Sequence, residues 1–298
     1  MYHLATLFPR LRTVQIPLTR DQLMLIMTAI NLIFLGIDIF LAHSISGTIV
    51  PNEWIPIIFG PVAGVILIIA GLIAQRNRPL ATILANIVFV ASILVGLLGA
   101  YFHLIRAILP SAAPGDIVSI ELLVWAPPIV GPLMFVLVGL FGISAAWIED
   151  PPDSGTLIFL QNRRLPLPLS KTRAYFFLVS LGTLFTVFSS VLDHARTDFS
   201  NVGVWIPTIA GIFGTVIAAA LGFLPKPGRG ELTVYFSAML VLILTGVVGL
   251  FLHINENLIA EGTIVVERFL RGSPFLAPLL FANMGLIGLI VLMDPREV

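Results

Sequence analysis

The sequence predicts an all-α integral membrane protein with eight transmembrane helices. They form two tandem four-helix bundles, residues 1–150 and 151–298, as a parallel repeat related by a pseudo-twofold along the membrane normal. Three observations lead there. Hydrophobic residues make up 58% of the 298 and charged residues only 11%, against about 25% charged in soluble domains. Eight stretches reach the roughly 20 apolar residues that a membrane helix needs. The second half of the chain also matches the first at a nearly constant offset.

The eight stretches are 23–43, 54–74, 80–105, 127–147, 174–194, 204–224, 232–252 and 275–293. Apolar positions run all round each one, as expected for helices facing lipid or a bundle core. Barrel strands are ruled out because they run to about ten residues and alternate. Basic residues set the orientation. Arg10, Arg12, Arg20, Arg76, Arg78, Arg163, Arg164, Lys171, Arg173, Lys226, Arg229 and Arg296 fall on one side, and Arg106, Arg196, Arg268 and Arg271 on the other. That bias predicts a multi-pass protein of the cell membrane with both termini cytoplasmic.

The repeat is read residue by residue. At an offset of 151, 16–20 (IPLTR) falls on 167–171 (LPLSK), His43 on His194, and Trp54-Ile55-Pro56 on Trp205-Ile206-Pro207. The offset drops to 150 for 93–103 on 243–253, and to 146 for Pro128, Pro132, Phe135, Gly139 and Gly142 on Pro274, Pro278, Phe281, Gly285 and Gly288. An even number of spans in each unit gives both halves the same orientation. The Pro-, Gly- and charge-rich segment at about 148–172 is the boundary. It reads as a loop with a short interfacial piece at 156–160.

Sixteen basic and sixteen acidic residues cancel, so no nucleic-acid partner is implied. Cysteine is absent, which excludes disulfides, thiolate metal sites and thiol catalysis. There is no phosphate-binding loop, dinucleotide fingerprint, metalloprotease helix or hydrolase elbow.

Chemistry concentrates in four histidines. His43 and His103, with their repeat equivalents His194 and His253, end the odd-numbered spans on the outer side. The first and third helices of an up-down-up-down bundle are diagonal neighbours, so the two rings of each half face each other at one depth. Gly96 and Gly99 lie seven and four residues before His103, and Gly246 and Gly249 repeat that spacing before His253. Such a strip admits either a flat macrocycle or a second helix. Paired imidazoles supply both axial positions of haem b. Copper or zinc is the lesser ligand reading. Arg106 and Arg196 sit just beyond ligands, as interfacial anchors or as partners of haem propionates. Asp38 and Asp193 read as vestibule groups or partners orienting an imidazole.

The function expected is that of a membrane-embedded b-type haem protein. It would pass electrons between quinone and an extracytoplasmic redox protein, or handle haem. The alternatives are a small-solute transporter or channel, or a non-catalytic membrane subunit assembled with other membrane subunits. Eight spans in two four-helix halves, with one outward histidine pair each, resemble the layout of haem A synthases. In that family the histidines open even-numbered spans, behind an acidic residue. Here they close odd-numbered ones, so the resemblance is one of architecture and carries no residue role.

Overall fold

The computed structural model describes residues 3–13, 17–44, 47–108, 124, 129–159, 163–258 and 263–293. The chain is mostly helical. A short α1 (His3–Leu7) and a 3-10 turn (Pro9–Thr13) precede α2 (Arg20–Ser44), α3 (Trp54–Ala74), α4 (Arg78–Ile108) and α5 (Val130–Ala146). After the linker come α6 (Lys171–Ala195), α7 (Trp205–Phe223), α8 (Arg229–Asn257), a short α9 (Val266–Arg271) and α10 (Leu279–Val291). Six of these, α2, α3, α4, α6, α7 and α8, are long and apolar enough to cross a membrane. Leu94, Ile209 and Phe251 are each more than 60% exposed. Water does not accommodate so many bare apolar side chains, and lipid does.

Helix starts follow local chemistry. Thr19 and Gln22 form a reciprocal capping box: each backbone N–H donates to the other's side chain, at 2.9 and 3.2 Å. Ser170, the residue matching Thr19, accepts from the Arg173 N–H at the start of α6. Asn77 accepts from the Leu80 N–H ahead of α4, with Pro79 in the first turn where its missing N–H costs nothing.

Within the first half α2 packs on α3, α3 on α4, α4 on α5 and α5 on α2, which sets α2 and α4 on a diagonal. In the second half α6, α7, α8 and α10 close the same circuit, with α6 and α8 diagonal. The halves meet where α5 lies on α6 and α10 lies on α2. Small residues let the backbones approach closely. A Cβ added to Gly60 of α3 would lie 2.4 Å from the Leu32 carbonyl oxygen of α2. Phe89, Phe135, Tyr175, Phe176, Tyr235 and Met239 fill the core behind these seams.

Three features depart from the sequence reading. The fourth apolar stretch of each half is a shorter helix than expected: 17 residues in α5 and 13 in α10. Pro274 and Pro278 hold the chain in turns before Leu279, so α10 starts late. The boundary is also not a plain loop with an interfacial piece. Strands β1 (Ile148–Glu149), β2 (Thr156–Phe159) and β3 (Arg163–Pro166) form an antiparallel sheet in that order. Gly155 turns the chain into β2 at φ +76°, a conformation that L side chains rarely adopt. Glu149 holds the turn by accepting from the N–H groups of Asp153, Gly155 and Lys171.

The third departure concerns two of the cations that set the orientation. Arg20 and Lys171, matching residues of the two halves, are buried at 1% and 0% exposure. Both meet the carboxylate of Asp21, Arg20 at 3.3 Å and Lys171 through its ammonium. Lys171 also donates to the Trp147 carbonyl at 2.6 Å, and Arg20 to the Thr172 hydroxyl at 2.7 Å. The Tyr175 ring lies under the Arg20 guanidinium at 5.0 Å, and its hydroxyl donates to Asp21. Removing one partner from such a cluster strands buried charge. Asp21→Leu is expected to cost about 3–5 kcal/mol, read as a lowered Tm in detergent. Adding Lys171→Met to that variant should restore part of the loss.

Candidate imidazole-pair sites

His43 occupies the last turn of α2, and His103 lies on the diagonal helix α4. Their ring centroids are 6.0 Å apart, with planes inclined at 55°. His194, in the last turn of α6, stands 6.4 Å from His253 of α8, with planes at 80°. The four histidines therefore come together as two couples, each on a diagonal.

His43 and His253 are each anchored through Nδ1. His43 donates from Nδ1 to the Ile39 carbonyl at 2.9 Å, one helical turn back. That bond puts the proton on Nδ1. His253 donates from Nδ1 to the Pro274 carbonyl at 3.0 Å. Pro274 sits in the turns before α10, so the late start of that helix supplies the acceptor. Anchoring the far nitrogen is how proteins aim an imidazole at a metal.

Carboxylates flank both couples. Glu53, just before α3, approaches His43 Nε2 at 3.9 Å and is itself oriented by the Val50 N–H. Sequence reasoning passed over this residue, because its matching position in the second half is Val204 and the repeat gave no signal. Asp38 lies on α2 before His43, within electrostatic reach of Asp193 on α6. Asp193 in turn lies 3.9 Å from the Arg196 guanidinium. Among the described residues, no three His, Asp or Glu side chains converge as a metal-ion cluster.

The remaining sequence candidates fall as follows. Arg196 donates to the Val124 carbonyl of the first half at 2.9 Å, so its guanidinium ties the end of α6 to the first half. Arg106 lies on α4, and its side chain is outside the described residues. The strips beneath His103 and His253 are taken up by neighbouring helices. A Cβ on Gly96 or Gly99 would lie 2.8 or 2.9 Å from Pro132 of α5. One on Gly246 would meet Ala282, and one on Gly249 would meet Pro278, at 2.5 and 2.7 Å on the α10 side. Of the two uses open to a smooth strip, helix packing is the one in place.

Enlarging such a glycine is expected to separate α8 from α10. Gly246→Leu should lower the Tm in detergent by an amount equivalent to about 1–3 kcal/mol or more. Gly71→Leu, where nothing lies within 4 Å of a new Cβ, should leave the Tm within experimental error. Comparison of the chain with protein-family models, curated proteins and solved structures finds no match in any of the three.

Proposed function

We propose that this chain is an eight-span membrane protein, built by tandem duplication, that binds one haem b between the imidazoles of each half. His43 and His103 hold one haem, and His194 and His253 the other, both near the extracytoplasmic face. The observation that carries the reading is the ring separation of 6.0 and 6.4 Å in two couples on diagonal helices. An ion bonded to one nitrogen of each ring at about 2 Å puts the centroids roughly 6 Å apart, given the size of the ring. The Nδ1 bonds of His43 and His253 add to this, since they fix the orientation of one ring in each couple.

Two imidazoles per couple are the donor set that a haem iron would need from the protein. A zinc or copper ion needs at least one further protein ligand, so the donor set favours haem. Held by an imidazole from each helix of a couple, a haem would supply electron transfer rather than oxygen binding. Two haems at one depth connect donors and acceptors laterally, and a membrane quinol and an extracytoplasmic redox protein fit those positions. The duplication reading draws support from the matching packing circuits α2–α3–α4–α5 and α6–α7–α8–α10. The shorter apolar helices α5 and α10 complete eight spans on this reading.

An absorption spectrum of detergent-purified protein tests the proposal. A Soret band and a sharp reduced α-band are expected, with His103→Ala retaining about half of the haem and His103→Ala/His253→Ala none. A colourless protein, or haem content unchanged in those variants, would overturn it. Orientation is tested separately, because the chain has no cysteine. A single cysteine at Asn52 should react with a membrane-impermeant maleimide from outside intact cells, and one at Gln75 only after permeabilisation.

A further inference from the structure

At the seam between the halves, α2, α5 and α10 line a small cavity of about 20 Å³, with Thr28, Asn31, Leu137, Asn283 and Met284 among its walls. The site is polar on one side of the molecule only. Thr28 and Asn31 of α2 match Val179 and Gly182 of α6, and Asn283 of α10 matches Leu137 of α5. On the α6 side the seam is shut: a Cβ on Gly182 would lie 2.5 Å from the Met284 sulfur and 2.6 Å from Leu137. The α2 side instead has two asparagines, Asn31 and Asn283, lining one small space.

A carboxamide brings two donors and an acceptor oxygen, and within hydrocarbon each of these needs a partner. Neither Asn31 nor Asn283 makes a hydrogen bond among the described residues. Thr28 donates its hydroxyl to the Leu25 carbonyl at 2.8 Å and keeps its oxygen free to accept. Three polar groups thus line a space of about 20 Å³, and one water needs roughly 10–15 Å³ and two to four polar partners. No charged side chain lines the cavity, which disfavours an ion, and its size suits a single water.

We propose that this cavity is a binding site for one water molecule that bridges Asn31 of α2 to Asn283 of α10, with Thr28 as third partner. The two halves are then joined by polar contacts at both levels: by charge at the Asp21 cluster, and by this neutral bridge within the spans. The inference is independent of the histidine couples.

Thermal unfolding of the full chain in detergent tests it through Asn31→Leu, Asn283→Leu and the double variant. A shared water couples the two residues. Each single variant should lower the Tm by roughly 2–4 °C, the shift that about 1 kcal/mol produces in a chain approaching this size. The double variant should lower it no further than either single one. Additive losses would overturn the bridge, as would single variants with an unchanged Tm. A structure of the unsubstituted protein at water-resolving resolution decides the matter even if a variant fails to accumulate. Density within hydrogen-bond distance of both carboxamides supports the site, and its absence rejects it.

Discussion

The constraint on which the rest of the structure depends is the sharing of one carboxylate by two buried cations. Arg20 and Lys171 are the first residues of α2 and α6, the leading helices of the two halves. Both come out of water to meet Asp21. Buried charges are tolerated only when their partners are fixed, so the contact determines where one half stands against the other. Glu149 extends the lock by accepting from the Lys171 N–H, and that ties the linker sheet to the start of α6. Once the leading helices are fixed at this end, their far ends carry His43 and His194 to the places where His103 and His253 arrive on the diagonals.

The sequence and the structure agree where physics is local. A run of apolar residues longer than a bilayer needs is a helix in almost any surroundings, and the first three stretches of each half begin and end within a few residues of α2, α3, α4, α6, α7 and α8. Histidine placement was equally legible, since helix periodicity and an up-and-down chain path leave little freedom. The parts missed depend on partners distant in sequence. Arg20 and Lys171 read as loop cations because their burial depends on contacts between the halves, Lys171 with Asp21 and Arg20 with Thr172 and Tyr175. The linker sheet needed the register of three short strands. Glu53 is close to His43 only through the turn between α2 and α3. The glycine strips were ambiguous by nature, because a surface without side chains suits a cofactor and a helix alike, and only the position of Pro132 and Pro278 distinguishes them.

The halves are alike in packing and unlike in chemistry. Glu53 stands by the first histidine couple, and valine takes its place by the second. His43 is anchored within its own helix, whereas His253 is anchored by a carbonyl from the turns before α10. Two imidazole couples with different neighbours have different electrostatic surroundings, so any two centres held there would be inequivalent.

The short fourth helices have a consequence for the surrounding lipid. At 1.5 Å per residue, α5 and α10 rise only about 26 and 20 Å, less than the roughly 30 Å of a hydrocarbon core. Their large side chains are mostly enclosed by neighbours, with Leu140 and Leu286 the exposed exceptions among the described residues. Enclosure frees these two helices from matching the bilayer. A membrane of different thickness is met by the six longer helices, for which tilting is the ordinary adjustment, and not by these two.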